Sequence, residues 1–285
     1  MIYYANNLFD KLKENPFNGN KSYDNKWIML KLLDIADFKQ CTGGGKDGIF
    51  RLIITKKNID WEYRIFDFIQ YEEYHSNNII IAVDSKDLKI AEEKYQGHNY
   101  DDPYLRIYEQ KILMHTTPKE NFEIIMQDKC LKSWNLLKSE KRIAEEKPIG
   151  ELLGDPLDYS DYIMFSNGGN DAERVVSSKQ KGNIEMDLDI PYIAGARFYF
   201  DCETIAKDGL LIRDGAHLKV RNRLPLQKYL LWYATPEILG ISENTTPRIF
   251  AKTADNEFQK KFNIVLSNLG DDLTINTADI FDNIN

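Results

Sequence analysis

The chain has 285 residues and a mass of 33.2 kDa, enough for one large domain or two modest ones with a sizeable core. A hydrophobic content of 42% and an aromatic content of 12% are typical of a folded globular protein and exclude a disordered one. The net charge of −8 argues against a sequence-independent nucleic-acid-binding protein, which needs a basic surface.

The number and spacing of the cysteines and histidines bear on the cellular compartment and on metal binding. Cys41, Cys130 and Cys202 are odd in number and far apart, which favours reduced thiols and predicts a cytoplasmic protein. The four histidines show no metal-ligand spacing, so no metal site is predicted. No apolar run approaches the 18 residues of a membrane span, and the first residues lack the pattern of a signal peptide.

The first hundred residues have the pattern of a mixed α and β region. The predicted elements are, in order, a helix at 24–38, a glycine-rich turn at 43–48, a strand at 49–55, a strand at 78–83 and a helix at 86–95. The polar stretch at 97–103 is the predicted boundary, which gives an N-terminal region at 1–103 and a second domain at 104–285 with a C-terminal helical extension.

The glycine-rich turn invites comparison with a phosphate-binding loop. Such a loop follows a strand, precedes a helix and places Ser or Thr after its lysine. Here Asp47 follows Lys46, a helix is predicted before the turn, and a strand is predicted after it. The turn is therefore interpreted as a helix-to-strand connection.

The segment around His115 predicts a position for a candidate ligand-binding side chain. Residues 112–114 form a short apolar strand, and Thr117, Pro118 and Glu120 have the spacing of a capping box that starts a helix. This places His115 in a tight turn at the N-terminus of that helix. Free backbone N–H groups and the positive end of the helix dipole suit a phosphate-bearing ligand there, although a solvent-facing loop histidine is the plainer interpretation.

The rest of the chain alternates short strands and helices. The predicted elements are strands at 161–165, 196–200, 216–220 and 229–233, a short helix at 204–207 that ends at Gly209, and a helix around 251–262. Between them lie a glycine loop, after which Glu173 and Arg174 are expected to be solvated, and basic clusters at 138–142 and 219–223. Each cluster is interpreted as a solvated face.

Three segments follow one another in a notable order. The first is His115-Thr116-Thr117 with Asn121 early in the next helix, and the second is a strand with Tyr162 and a nearby Ser166. The third is a pair of strands at 216–220 and 227–231. Over about 104–233 this order resembles the ADP-ribosyltransferase-like superfamily, including its RNA 2′-phosphotransferase branch. The resemblance implies an α+β fold, with a split β-sheet core and flanking helices preceded by the smaller mixed α/β N-terminal region.

The resemblance implies NAD as the cofactor and a set of site residues. Cleavage of the nicotinamide–ribose bond passes through an oxocarbenium-like centre, so the site must hold a ribose, stack the nicotinamide and stabilise positive charge. His115, Tyr162, Asp214 and His217 are the predicted catalytic residues: His115 for a ribose hydroxyl, Tyr162 for the stack and Asp214 for the charge. The predicted cofactor-binding residues are Thr116, Thr117, Asn121, Ser166 and Arg213.

The sequence departs from the family at the third motif, which usually opens with Glu. Here the strand opens with Ala216-His217, and Asp214 lies two residues earlier. Several functions therefore remain open. The leading hypothesis is an NAD-dependent transferase that moves ADP-ribose to a macromolecular acceptor, protein or nucleic acid, or removes an RNA 2′-phosphate. The alternative is a non-catalytic binding protein with a degenerate pocket, and a nuclease has little support because the acidic pairs at 60–62 and 72–73 are ordinary.

Overall fold

The computed structural model describes most of the chain as sheets flanked by helices. The described residues are 1–5, 27–34, 40–44, 48–143, 147–148, 150, 154–166 and 168–266. The predicted mixture of α and β structure is confirmed. No helix within this part of the chain is long and apolar enough to cross a membrane.

The strands of the described residues are short. They are β1 (Ile2–Ala5), β2 (Trp27–Leu33), β3 (Gln40–Gly44), β4 (Phe50–Thr55), β5 (Asn78–Ala82), β6 (Ile112–Thr117), β7 (Cys130–Lys132), β8 (Tyr162–Phe165), β9 (Tyr192–Ile193), β10 (Ala196–Asp201), β11 (Leu211–Arg213), β12 (Leu218–Arg221), β13 (Arg223–Pro225), β14 (Leu230–Ala234) and β15 (Asn244–Thr245).

The helices lie between these strands and pack on the sheets. They are α1 (Trp61–Tyr74), α2 (Ser85–Tyr95), α3 (Lys119–Asp128), α4 (Trp134–Ser139), α5 (Asp171–Lys181), α6 (Cys202–Lys207), α7 (Leu226–Tyr229), α8 (Pro236–Leu239) and α9 (Pro247–Phe262). A 3₁₀ turn at Leu157–Asp161 leads into β8.

A five-stranded sheet forms the N-terminal region, in the order β1-β5-β2-β4-β3. The first four strands are parallel and β3 runs antiparallel to β4. The prediction of a helix at 24–38 is wrong, because Trp27–Leu33 is the central strand of this sheet. A parallel strand is covered on both faces and has a continuous apolar sequence, which periodicity cannot distinguish from a buried helix. Residues 24–26 and 35–38 of that prediction lie outside the described ranges.

The glycine-rich turn connects two strands, so the helix-to-strand interpretation is also wrong. Gly43 and Gly44 end β3, β4 starts at Phe50, and residues 45–47 lie outside the described ranges. The predicted strands at 49–55 and 78–83 and the helix at 86–95 are confirmed. The longest helix of the region, Trp61–Tyr74, was not predicted, because its buried face includes the polar residues Asp67 and Glu72.

Two three-stranded antiparallel sheets form the core of the second region. Their orders are β14-β10-β6 and β11-β12-β8. A single pair of backbone hydrogen bonds between Met114 and Ser166 joins β6 to β8. The predicted strands, the helix after 200 and the helix near 251–262 are confirmed within a few residues.

The predicted turn at His115 is wrong. His115 lies inside β6, which continues to Thr117 because β10 pairs with it along its whole length. Pro118 is the N-cap of α3 and has an extended ψ of 157°, so it is not the first helical residue. No side chain caps this helix, and the predicted capping box does not form.

The second region packs directly on α1 of the first. Phe68 and Tyr71 of α1 share a buried cluster with Tyr159, Tyr162 and Ala216. The boundary near residue 103 falls in the loop that precedes β6 and remains a prediction. This packing covers one face of the β11-β12-β8 sheet, while α3 packs Phe122, Ile125 and Met126 into the cluster on its other side.

Candidate functional site

The point where the two central sheets separate lies at His115. Met114 and Ser166 form a hydrogen-bonded antiparallel pair, with N···O distances of 2.9 and 2.8 Å. In a continuous ladder the next such pair would join Thr116 to Met164. Instead the imidazole Nδ1 of His115 lies 3.1 Å from the Met164 carbonyl oxygen. A side chain therefore takes the place of a backbone hydrogen bond, and the sheets part beyond it.

This hydrogen bond fixes the tautomer of His115. A carbonyl oxygen only accepts, so Nδ1 carries the proton and Nε2 is left as an acceptor. Burial lowers the pKa of His115, against the opposing effect of the Met164 carbonyl, so the ring is neutral near pH 7. The side chain is half-buried beside the Phe165 ring, and no described group hydrogen-bonds Nε2. The site thus presents one oriented acceptor.

Thr116, on the opposite face of β6, joins a buried polar network. Its hydroxyl donates to Glu173 at 2.7 Å, and Glu173 also accepts from Tyr192 at 2.8 Å and Arg197 at 3.2 Å. Arg197 is fully buried and pairs in addition with Asp255. The Thr116 hydroxyl therefore donates its one hydrogen bond to a group of the protein itself.

Glu173 is a residue whose burial the sequence did not predict. It is fully buried, so the expectation that it is solvated is wrong. Burial raises the pKa of its carboxyl, and the three donors oppose that shift. A signal was available: Glu173 lies on the same helical face as Val176 and Ser177, which are also buried.

We call the point where β6 and β8 separate, beyond His115, the split. Three other predicted cofactor-binding residues lie near the split or on the adjoining helix. Ser166 holds the joining pair, and its hydroxyl bonds both backbone groups of Gly168. Thr117 is buried at the end of β6, where a Cβ on Gly195 would lie 2.1 Å from the Thr117 carbonyl oxygen, so only glycine fits there. Asn121 is half-buried in α3.

Tyr162 belongs to a different place, the face of β8 that packs against α1. Its ring contacts those of Tyr71 and His75, and its hydroxyl donates to His75 Nε2 at 3.0 Å. The Lys219 ammonium lies 3.8, 3.9 and 4.8 Å from the ring centroids of Tyr71, Tyr159 and Tyr162. These rings and the buried Lys219 form a closed aromatic cage. The interpretation of Lys219 as part of a solvated basic face is therefore wrong.

Asp214 and His217 complete this cage. Asp214 accepts from Lys219 Nζ at 2.6 Å, from His217 Nδ1 at 3.1 Å and from the backbone N–H groups of Ala216 and His217. Although burial opposes it, the charges of Lys219 and His217 hold the pKa of Asp214 well below its usual range. The carboxylate is ionised, 1% exposed and supplied with four donors by the protein itself.

Arg213 is also engaged within the protein. Its guanidinium forms a bidentate pair with Glu109 and donates to the carbonyl groups of Asp102 and Tyr104. These contacts hold the loop before β6 against β11. An arginine with this set of partners positions a loop and presents no free fork to a pyrophosphate.

The structure thus divides the predicted site residues between two places. His115, Thr116, Thr117 and Ser166 lie at the split, whereas Tyr162, Asp214 and His217 lie in the aromatic cage. Among the described residues no hydrogen bond or ring contact joins the two sets. A surface groove of about 730 Å³ lies beside the end of β6, but none of the predicted site residues lines it. Within the described residues no cluster of His, Cys, Asp or Glu could hold a metal ion.

Comparison of the chain with protein-family models, with curated proteins and with solved structures found no match. The resemblance to the ADP-ribosyltransferase-like superfamily therefore continues to rest on the residues of this sequence.

Proposed function

We propose that the chain is an NAD-dependent transferase whose nucleotide site lies at the split between β6 and β8. Support comes from one observation: His115 is held with a neutral ring and a single open acceptor where the sheets part. When bound, NAD supplies an ADP-ribosyl group whose bond to nicotinamide breaks as an acceptor attacks. The proposal includes an ADP-ribosyltransferase-like split sheet as the fold.

The chemistry of His115 fits a ribose. A ribose hydroxyl is a donor of the kind that Nε2 can accept, and the Met164 carbonyl prevents the ring from turning to present its proton instead. Phe165 packs edge-on against the imidazole at 6.1 Å, which limits the ring further. His115 therefore orients a ligand hydroxyl without reorganising, which is how a positioning group aids transfer.

A second candidate function is that of a binding protein without turnover. It is favoured by the hydrogen bonds that the carboxylates of Asp214 and Glu173 already accept from the protein. Asp214 is saturated by four protein donors and Glu173 by three. Neither presents a free oxygen with which to stabilise charge on a ribose. Binding at His115 without an available carboxylate would give a nucleotide-binding protein.

The test combines calorimetry with NAD and release of nicotinamide in the presence of cell extract or of RNA bearing a 2′-phosphate. The transferase predicts saturable binding, nicotinamide release and a modified acceptor or an RNA freed of its phosphate. Binding without release assigns the second candidate, and no binding at millimolar NAD defeats both.

Two substitutions of His115 distinguish the contact of Nε2 with the ligand from the hydrogen bond of Nδ1 to the Met164 carbonyl. His115→Asn retains a donor near the Nδ1 position but removes the Nε2 acceptor, and His115→Gln places an amide oxygen near Nε2. The expected order of NAD affinity is wild type, His115→Gln, His115→Asn, with about a tenfold loss for the last. His75→Asn is the matched control, since it changes a histidine of the aromatic cage, and it should leave NAD affinity unchanged.

A further inference from the structure

The exposed bases of the two basic clusters meet on one surface, although about eighty residues separate them along the chain. The pairing of β7 with β13 sets Lys132 opposite Arg223, and Ser133 donates to the Asn222 carbonyl at 2.7 Å. Residues 128–142 and 221–223 together form what we call the basic platform. The interpretation of each cluster as a separate solvated face does not account for this meeting.

The basic platform carries a strong local charge in an acidic protein. The carboxylate of Asp161 lies beside this surface and accepts a hydrogen bond from Asn135 at 2.7 Å. Residues 128–142 contain five Lys or Arg and residues 221–223 contain two, and the acids within these ranges are Asp128 and Glu140. Both acids are already paired within the platform, Asp128 with Lys132 and Arg142, and Glu140 with Lys132. The exposed bases are Lys129, Lys138, Lys141, Arg142, Arg221 and Arg223. This excess opposes the net charge of −8.

Aromatic rings lie among these cations. The Lys138 ammonium is 4.6 Å from the Trp134 ring centroid, and Arg221 donates to the hydroxyl of Tyr74 at 2.9 Å. Tyr74 is 56% exposed. Exposed cations interleaved with aromatic faces are the combination that holds a single strand, since phosphates pair with the bases of the protein and nucleobases stack on its rings.

We propose that the basic platform binds single-stranded nucleic acid through its backbone phosphates. The platform adjoins the split: Arg221 is paired in register with Tyr162, two residues along β8 from the Met164 carbonyl that holds His115. That separation is about 7 Å along the strand. The binding claim stands without any NAD chemistry, and the position places a bound strand beside the candidate nucleotide site.

The test is fluorescence anisotropy with labelled oligo-dT and oligo-U of about 12 nucleotides, without NAD, over a range of salt concentrations. Contacts to three or four phosphates predict a slope of about −2 to −3 in log affinity against log salt. Arg221→Glu/Arg223→Glu should weaken binding about tenfold or more. The control Lys252→Glu/Lys260→Glu makes the same change in net charge on α9, at exposed positions, and should stay within about twofold.

Substitutions of Trp134 test the contribution of base stacking to binding without changing the net charge. Trp134→Ala should weaken binding at least about fivefold, and Trp134→Phe should restore most of it. Circular dichroism and urea unfolding confirm that each variant is folded. Three results would overturn the proposal: no saturable binding at low salt, an equal loss in the α9 control, or a poly-glutamate peptide that binds as tightly as the oligonucleotides.

Discussion

His75 and His115 make the same first hydrogen bond and differ in the second. In each ring Nδ1 faces a backbone carbonyl, that of Tyr71 at 2.8 Å for His75 and that of Met164 at 3.1 Å for His115. His75 Nε2 then accepts from Tyr162, inside the aromatic cage. His115 Nε2 has no such partner among the described groups. The comparison separates a histidine that completes a core from one that is oriented and left open.

The same contrast extends to the surroundings. In the aromatic cage every charge has a partner, and Lys219 is bound by three rings and a carboxylate. At the split, one side-chain hydrogen bond replaces a backbone pair and the sheets separate. Saturated polar groups stabilise a fold, whereas an unfilled acceptor in a fixed orientation is what a ligand site needs.

The largest effect is expected from breaking the aromatic cage. Lys219→Met leaves the ionised Asp214 buried without its ammonium partner, which should lower the free energy of unfolding by about 3–5 kcal/mol. Urea unfolding followed by circular dichroism measures the loss. The control Lys207→Met removes an exposed i,i+4 pair with Glu203 and should cost less than about 0.5 kcal/mol. Equal effects would mean that the cage contributes no more than a surface ion pair.

A smaller loss is expected for Glu173→Gln in the network behind β6. The amide keeps the shape but leaves Arg197 with one anionic partner fewer, so the free energy of unfolding should fall by about 2 kcal/mol. Glu237→Gln, at an exposed position of α8, is the control and should be neutral. If Glu173→Gln were also neutral, Glu173 would not be structural and would become available as a catalytic carboxylate.

Glu72 adds a pH dependence to the aromatic cage region. Burial and the nearby Asp158 raise the pKa of Glu72 to about 8, and one carboxyl oxygen has no hydrogen-bond partner. The folded state therefore retains a proton that the unfolded state releases, so stability is greatest below the ordinary carboxyl pKa and falls as pH rises toward 8. Glu72→Gln should raise the free energy of unfolding at pH 9 by on the order of 2 kcal/mol. The neighbouring exposed Glu73→Gln should not, and a wild-type protein equally stable at pH 6 and pH 9 would contradict this account.

The smallest effect is expected at His115 itself. His115→Asn keeps the bond to Met164 and should change the free energy of unfolding by less than about 0.5 kcal/mol, whereas His75→Asn loses the bond from Tyr162 and should cost about 1 kcal/mol. Because the folded pKa of His115 is lowered, wild-type stability is full above the ordinary histidine pKa and declines as pH falls below it. Urea unfolding at pH 7 and pH 5 should show that the free energy of unfolding declines less in His115→Asn than in the wild type. An equal decline in both proteins would mean that a group other than His115 causes it.

The sequence predicted the elements whose pattern is local. The helix at 86–95 and the strands at 78–83 and 196–200 carry their periodicity or turn signals within a few residues, and the structure confirms them. Trp27–Leu33 was misjudged because burial on both faces erases periodicity. His115 was misplaced because its strand is extended by pairing with β10, which the local sequence does not show.

The site was predicted only where its residues are neighbours in sequence. His115 to Thr117 form one strand end, and Ser166 meets that strand through a single backbone pair. The partners of Thr116 and Tyr162 are Glu173 and His75, which lie 57 and 87 residues away along the chain. Such distant contacts decide whether a buried carboxylate or lysine has all its hydrogen-bond partners within the protein. Residue spacing in the sequence does not predict them.

The central claim is that His115 offers Nε2 to a ribose hydroxyl, and nitrogen NMR of the four histidines tests it most directly. The account predicts a neutral His115 ring at pH 6.5 with the proton on Nδ1, and an Nε2 resonance that shifts on addition of NAD while that of His75 does not. A proton on Nε2, or an Nε2 resonance of His115 that stays unchanged at millimolar NAD, would contradict it.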